Sequence, residues 1–288
     1  MIPKMSDQAD GLRAMMAQSS STNVQRMIAV VGSGRKSGAT TVVMNLAAAL
    51  TQQGQHVLLI DESVHHTPSP SGTASAIWQV EALGNWSDVV SGRLSLDAAG
   101  GRAACGVQVL IARRELVSKP ASATGLQQLR QDQIILIDAA LGDDGTLSPL
   151  ACQADYVMVV LQPQPASITA AYACIKRLHH AHALQQVRIV LNGAASDAEA
   201  SRILTNLAVT GSRYLAVSVE PAGAVMTDLQ ILHAQQLHLT VVEAFKRSTA
   251  ALTFRRIAAD LMQWSSKARS DVANGDSSHR TAMPELLA

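Results

Sequence analysis

The chain has few aromatic side chains, almost no net charge and little cysteine. Aromatic residues make up 3 % of its 288 residues, too few for the stacking platforms that bind single-stranded nucleic acids. A formal net charge of +1 gives no general field that would attract nucleic acid or an anionic membrane. Cys105, Cys152 and Cys174 are far apart and lack metal-ligand spacing, so we expect small buried side chains in a reducing compartment.

Long apolar runs are also missing. None approaches the ~20 residues that a membrane span needs. The N-terminus carries Asp7 and Asp10 and has no apolar stretch typical of a signal peptide, so we expect none. Hydrophobic residues nevertheless reach 48 %, which argues against global disorder. We therefore expect a cytoplasmic protein with a large hydrophobic core.

Predicted strands and helices alternate along most of the sequence. Near-continuous Val/Ile/Leu runs predict strands buried on both faces at 27–31, 57–60, 107–111, 134–137, 156–161 and 187–191, with a seventh near 214–219. Helices are predicted at 40–53, 167–182, 197–207 and 249–264. This order favours a three-layer α/β fold, with helices on both faces of a mostly parallel, twisted sheet of about seven strands.

Composition divides the chain into three parts. Residues 1–26 combine a short helical pattern with a polar, Ser-rich linker. Residues 27–264 hold the alternating strands and helices and are expected to form the α/β domain. Residues 265–288 are polar, and we expect this tail to be disordered.

The most informative motif lies between the first strand and the first helix. Residues 30–45 read VVGSGRKSGATTVVMN, close to the phosphate-binding pattern G-x-x-x-x-G-K-[ST]. Gly38 is the second glycine and Thr40 the hydroxyl residue, but Ala39 stands where the lysine belongs and Ser33 where the first glycine belongs. A glycine loop followed by a helix N-terminus predicts an anion cradle, here without its main point charge.

Two aspartates follow predicted strands and extend this pattern. Asp61 ends the strand VLLI and Asp138 ends the strand IILI. In P-loop proteins a hydroxyl such as that of Thr40, together with a carboxylate on a neighbouring strand, holds Mg²⁺. Alternatively, both aspartates could simply cap the turns that follow. The loop and both aspartates lie where ligands bind to parallel sheets, so the pattern favours a P-loop fold.

Several segments resemble the MinD/ParA group of P-loop ATPases and, within it, the FlhG (FleN) family. The family loop KGGVGKTT aligns with residues 34–41, and NLAAALTQQGQHVLLIDE at 45–62 resembles the helix and strand that follow it. QPQPASITAAYACIKRLHHAH at 162–182 is similar to the family's TPEPTSITDAYALIK region, and VEAFKRSTAALTFRRIA at 242–258 to its C-terminal pattern. SDQADGLR at 6–13 matches the DQAxxLR motif at the FlhG N-terminus.

The resemblance implies a site for ATP or ADP with Mg²⁺. The nucleotide would lie on the loop, with Asn192 at the position where the family contacts adenine, and Thr40, Asp61 and Asp138 would hold the metal. The loop residues implied are Gly34, Arg35, Lys36, Ser37, Gly38, Ala39, Thr40 and Thr41.

This chain departs from the family at its charged positions. The two family lysines correspond to Gly34 and Ala39, and the family's D-x-D corresponds to Asp61-Glu62-Ser63, where Ser63 cannot act as a carboxylate. Losing one charge-assisted phosphate contact costs about 1.5–3 kcal/mol, or one to two decades in affinity. We therefore expect weakened nucleotide binding, or none, and little hydrolysis, because the missing groups stabilise transition-state charge and position water.

Two cations remain inside the loop. Arg35 and Lys36 could reach a phosphate, although side chains at such positions more often face solvent. Because of these departures we assign no catalytic residue. Asp61 and Ser63 are the residues at the family's D-x-D positions.

The N-terminal motif points to a partner. In FlhG, the resemblance implies, this segment docks on FlhF, a signal-recognition-type GTPase, and stimulates GTP hydrolysis. Gln8 would help to orient the attacking water and Arg13 would provide a charge contact. The implied contact residues are Asp7, Gln8, Ala9, Leu12 and Arg13. The alternative is an ordinary flexible terminus that happens to be amphipathic.

The resemblance implies an FlhG-like regulator of flagellar number or placement, in the cytoplasm or at the periphery of the cell pole or inner membrane. Implied partners are an FlhF-like GTPase, a flagellar transcription regulator or C-ring protein, and a second copy in a homodimer. Two other functions stay open: an active dimerising ATPase of the MinD/ParA type, and a MinD-like structural adaptor of a secretion machine. The last helix carries Arg255 and Arg256 and could contact membrane, but we expect it to dock on the core.

Overall fold

The computed structural model describes residues 25–62, 72–112, 129 and 132–264 of the chain. The predicted N-terminal segment, with Asp7, Gln8, Ala9, Leu12 and Arg13, lies outside the described residues, as do Ser63 and residues 265–288.

The described residues form one sheet of eight strands, one more than the sequence predicts. Their order across the sheet is β3-β4-β2-β5-β1-β6-β7-β8, and all neighbours are parallel except β3 and β4. The additional strand, β3, is a two-residue antiparallel edge strand, too short to give a sequence pattern. The strands are β1 (Arg26–Gly32), β2 (His56–Asp61), β3 (Gly101–Arg102), β4 (Gln108–Ile111), β5 (Gln133–Ala139), β6 (Tyr156–Leu161), β7 (Gln186–Ala194) and β8 (Ser218–Met226).

Helices cover both faces of this sheet, which confirms the predicted three-layer α/β fold. The helices among the described residues are α1 (Ala39–Gln52), α2 (Ala74–Ile77), α3 (Trp86–Val90), α4 (Leu96–Ala99), α5 (Pro165–His182), α6 (Asp197–Leu215), α7 (Leu229–Gln236), α8 (Val241–Ala244) and α9 (Thr249–Gln263). Apolar residues of α1, α8 and α9 pack on one face of the sheet, and those of α3 to α6 pack on the other. The central strands β5 and β6 are buried along their whole length, and β1 is buried except at its two end residues, as their uninterrupted apolar runs predict.

The seventh predicted strand is displaced along the chain. Helix α6 continues to Leu215, and β8 begins only at Ser218, so most of the predicted stretch 214–219 is helix or connection. Leu215 and Gly211 are buried where α6 packs on β8, which explains the longer helix. Strand β8 contains Pro221, which has no amide hydrogen to donate within a sheet. As an edge strand paired only with β7 in the described sheet, β8 tolerates this proline.

The last helix docks on the core, as predicted. Phe254, Ile257, Leu261 and Trp264 are all buried, and Arg255 donates hydrogen bonds to neighbouring chain segments. In the part of the chain that the structure describes, no helix combines the length and apolar character of a membrane span.

Candidate functional site

The predicted phosphate loop joins β1 to α1 at the carboxyl edge of the sheet. Ser33 N–H donates to the Val160 carbonyl of neighbouring β6 at 2.9 Å, and Ser37 N–H donates back to the Gly34 carbonyl at 3.3 Å. The side chains of Ser33 and Ser37 are buried, whereas residues 34–36 are exposed. The loop is therefore a compact turn anchored to the sheet, with its tip facing solvent.

Lys36 adopts an unusual conformation at this tip. Its φ of 62° lies in the left-handed region, at the third position of the turn closed by Ser37 N–H. The family loop has a glycine at this position, and an L side chain there costs about 1–2 kcal/mol. The described loop thus keeps a glycine-type turn although the glycine has been replaced. Arg35 and Lys36 are both exposed, in line with the expectation that such side chains face solvent.

Gly38 closes the loop and is the N-cap of α1. Its φ of +88° is left-handed, and a Cβ at this position would collide with the Asn192 side-chain amide. Asn192 Nδ2 donates to the Ser37 carbonyl at 3.3 Å. The structure therefore brings Asn192, predicted to lie near the base, directly against the phosphate loop.

The N-terminus of α1 points its unpaired amides at this loop. Among the described residues no side chain caps the helix, and its first turn contains no acidic residue. The first amides of a helix and its dipole together attract anions. Ala39, at the family's lysine position, is partly buried and packs on the core, so the cradle has backbone donors but no lysine charge.

Thr40 and Asp138 meet beside the loop. Thr40 Oγ1 donates to Asp138 Oδ2 at 2.7 Å, and Asp138 is buried at the end of β5. Two adjacent oxygen ligands of octahedral Mg²⁺ lie about 3 Å apart, so this hydroxyl–carboxylate pair fits such an ion. If Mg²⁺ binds with a nucleotide, Thr40 and Asp138 are the residues placed to hold it, and the ion would neutralise phosphate charge.

Asp61 and Glu62 place two more buried carboxyl groups at this edge. Asp61 lies opposite Asp138 in the β2–β5 register, and its Oδ2 accepts from Ser75 N–H at 3.3 Å and Ser75 Oγ at 3.4 Å. Glu62 is also buried and accepts a hydrogen bond from Ser148 Oγ. Within the described residues, no three His, Cys, Asp or Glu side chains are grouped to hold a metal ion by themselves. A metal here would depend on Thr40 and on ligand oxygens.

Two further contacts tie α1 to its surroundings, and sequence patterns did not reveal them. Gln235 Nε2 of α7 donates to Thr41 Oγ1 at 2.9 Å. Asn45 is buried within α1; it donates to the Thr41 carbonyl at 2.8 Å and accepts from Val241 N–H at 3.0 Å. The Gln235–Thr41 and Asn45–Val241 pairs are nearly 200 residues apart in the chain, so no local pattern signals them. They link the predicted loop to α7 and α8.

The cysteines only partly follow their prediction. Cys174 is buried, but Cys105 is partly buried and Cys152 is exposed, which corrects the expectation of three buried thiols. Burial raises the pKa of Cys105 to about 12 and that of Cys174 to about 11. The pKa of Cys152 is also raised, first by the partial burial of its sulfur and then by the nearby Glu62 charge. All three therefore stay protonated near neutral pH and are poor nucleophiles.

Known proteins resemble this chain in sequence and in fold. No family model matches the chain. The antiactivator FleN of Pseudomonas aeruginosa PAO1 is 29 % identical over 258 residues, which cover 86 % of this chain and 90 % of that protein. This chain is similar to FleN over most of its length. The predicted resemblance to the FlhG (FleN) family is thus confirmed across most of both sequences.

Solved structures establish the fold. MinD from Aquifex aeolicus matches with a TM-score of 0.64 at 19 % identity, over 83 % of this chain and 98 % of that one. MinD from Pyrococcus horikoshii, solved with Mg-ADP, matches with a TM-score of 0.57 at 18 % identity, over 83 % of this chain and 96 % of that one. At such identities the likeness shows the fold alone. It confirms the MinD-type P-loop fold that the sequence predicts for this chain.

Proposed function

We propose that this chain is an FlhG/FleN-like regulator of flagellar number or placement that acts by contact with other proteins rather than by ATP turnover. The observation that carries the proposal is the composition of the cradle. Its backbone and helix N-terminus keep the geometry of a phosphate site, while Gly34 and Ala39 replace both family lysines. A relative described as an antiactivator supports a regulatory role.

Weakened nucleotide binding is part of this proposal. The MinD structure with Mg-ADP supports a magnesium nucleotide as the ligand for a fold of this type. Here the α1 amides would bind phosphate and the Thr40–Asp138 pair would hold Mg²⁺, without a lysine to add charge. Since phosphoryl transfer depends on positioned charge, little hydrolysis is expected.

The proposed partner contact lies in the N-terminal segment. DQADGLR, at residues 7–13, carries the resemblance to the FlhG segment that stimulates FlhF, with Gln8 as the residue that would orient the attacking water. A short helix of this kind is marginal alone and would fold on binding. A flagellar transcription regulator or C-ring protein and a second copy of the chain are further proposed partners.

GTPase stimulation tests the proposal. The full chain is expected to increase the GTP hydrolysis rate of an FlhF-type GTPase, and Gln8→Ala is expected to lose most of that increase while its unfolding curve stays unchanged. Gln18→Ala, in the adjacent polar linker, is the matched control and should stimulate fully. Equal stimulation by Gln8→Ala would exclude this role for Gln8, and failure of the unaltered chain to bind the GTPase would favour a structural adaptor.

The second candidate is an active dimerising ATPase. It is favoured by one observation: Thr40, Asp138 and Asp61 remain together at the strand ends although the lysines are gone. Steady ATP turnover by the purified chain, abolished by Thr40→Ala, would support it over the regulator. Absence of turnover together with GTPase stimulation would exclude it.

A further inference from the structure

Helix α7 exposes an unusual amount of apolar surface. Leu229 is 79 % exposed, Leu232 is 60 % exposed and Leu237, just after the helix, is 50 % exposed. Three of the seven large hydrophobic side chains that are exposed in the described residues fall within these nine positions. Leu229 and Leu232 are three residues apart and share one face of the helix. Single exposed leucines need no explanation, but a cluster of them is typical of a binding surface.

The rest of α7 is anchored to the fold. Ala234 is fully buried, Gln235 donates to Thr41 of the predicted loop, and Asp228 caps the helix through Gln230 N–H at 2.9 Å. Asp228 also accepts from Ala250 N–H at 3.3 Å, which ties the start of α7 to α9. The exposed leucines therefore lie on a fixed helix.

A basic cleft of about 450 Å³ adjoins this face. It is lined by Gln230 of α7 and by residues 243–248, which include the exposed cations Lys246 and Arg247. Phe245 in its wall contacts the His233 ring, with centroids 5.2 Å apart, so the cleft is continuous with the exposed face of α7. Its one acidic residue is committed elsewhere: Glu243 accepts from Thr240 N–H at 2.8 Å and from Trp78 Nε1 at 3.2 Å.

We propose that the exposed face of α7 and this cleft form a docking surface for an acidic amphipathic segment of a partner protein. Apolar side chains of the segment would cover Leu229 and Leu232, and a carboxylate would enter the cleft beside Lys246 and Arg247. Charge complementarity selects an acidic partner. The two exposed leucines of α7 beside Lys246 and Arg247 match a segment that pairs apolar with acidic side chains, as amphipathic helices do. The residues that carry this surface, 229–248, are distant in sequence from the N-terminal segment.

A displayed peptide library, selected on the full chain, tests this surface. Enriched peptides are expected to carry Asp or Glu together with apolar residues at i, i+3 and i+4 spacing. Their affinity should fall about tenfold or more for the Leu229→Ser/Leu232→Ser pair and for the Lys246→Glu/Arg247→Glu pair. Leu83→Ser and Lys176→Glu alter an equally exposed leucine and an exposed lysine elsewhere, and should bind as the unaltered chain does.

Three outcomes would overturn the proposal. The first is enrichment of peptides without acidic residues, or equal binding by both altered pairs. The second is binding of the full chain to phosphatidylglycerol vesicles that the same pairs abolish, which would identify a lipid surface. The third is self-association, measured by sedimentation and lost in the same pairs, which would identify a second copy of the chain. GTPase stimulation in all variants keeps this test separate from that of the proposed regulator.

Discussion

The two sides of the candidate nucleotide site differ in what the rest of the fold requires of them. On the loop side, the backbone shape is held by packing, because Gly38 abuts Asn192 and the loop amide of Ser33 is bonded to β6. On the strand-end side, Asp61 and Asp138 are buried and hydrogen-bonded. Of the two positions at which the family has lysine, Gly34 is exposed and Ala39 is partly buried, and neither takes part in these contacts.

Packing requires a lysine at neither of these two positions. A Cβ at Gly34 would meet nothing closer than Ala170 Cβ at 3.9 Å, and Ala39 is an ordinary first residue of α1. An exposed lysine contributes charge to a ligand but little to packing, so its loss need not disturb the fold. The comparison indicates that folding alone is enough to retain the cradle, whereas only ligand chemistry would retain the lysines.

The largest effect is expected when the packed side of the loop is altered. Gly38→Ala places a Cβ at a φ of +88° and against Asn192, whereas Gly54→Ala places one at a φ of +83° with nothing within 4 Å. Left-handed strain alone should cost Gly54→Ala about 1–2 kcal/mol. The added collision should cost Gly38→Ala about 1–3 kcal/mol more. Urea unfolding of both variants measures the difference.

Gly54→Ala thus separates the stability lost to a positive φ from the stability lost to the collision with Asn192. If both variants lost equal stability, the contact with Asn192 would contribute nothing and the loop would not be held by packing. Asn192→Ala should recover part of the loss in Gly38→Ala, since it removes the colliding amide.

Sequence patterns predicted the fold and the residues at the strand ends because these depend on local signals. Buried strands are recognised by their apolar runs, and the loop is recognised by its glycines and by Thr40. Residues that act through long-range contacts gave no such signal. Gln235 meets Thr41, and Ser148 meets Glu62, only after the chain has folded.

The errors have similar causes. The stretch 214–219 reads as a strand, yet α6 continues to Leu215 because this residue is buried where the helix packs on β8. Cys152 reads as one more small hydrophobic residue, yet it lies within the partly exposed turn before β6. In both cases the surroundings in the fold, rather than the residue type, decided the outcome.

Restoring one lysine should sharpen the comparison with an intermediate effect. Ala39→Lys is expected to raise affinity for Mg-ATP or Mg-ADP by one to two decades, equivalent to about 1.5–3 kcal/mol. Stability should change little, because the added cation lies at a helix N-terminus, where it costs only about 0.3–1 kcal/mol. Calorimetric titration with each nucleotide measures the gain.

Ala39→Met is the matched control for length without charge, and should leave affinity unchanged. A repaired chain that still fails to bind would mean that the Thr40–Asp138 hydrogen bond closes the metal position rather than prepares it. Equal gains from Met and Lys would mean that packing, and not charge, was missing.

The smallest expected effect is on the reactivity of Cys152, which reports the charge of Glu62 on the strand-end side of the site. The pKa of this thiol is raised first by burial and then by the negative charge of Glu62. Glu62→Gln removes that charge but keeps an acceptor for Ser148, so the pKa of Cys152 should fall and its thiolate fraction at pH 8 should rise. In a background with Cys105→Ser and Cys174→Ser, alkylation by iodoacetamide should therefore become faster by a factor of about two to three. Asp97→Asn, which neutralises an acidic residue on α4 instead, should leave the rate unchanged. An unchanged rate in Glu62→Gln would mean that this carboxyl group is already neutral in the folded chain, and that the buried strand-end side carries less negative charge than its sequence suggests.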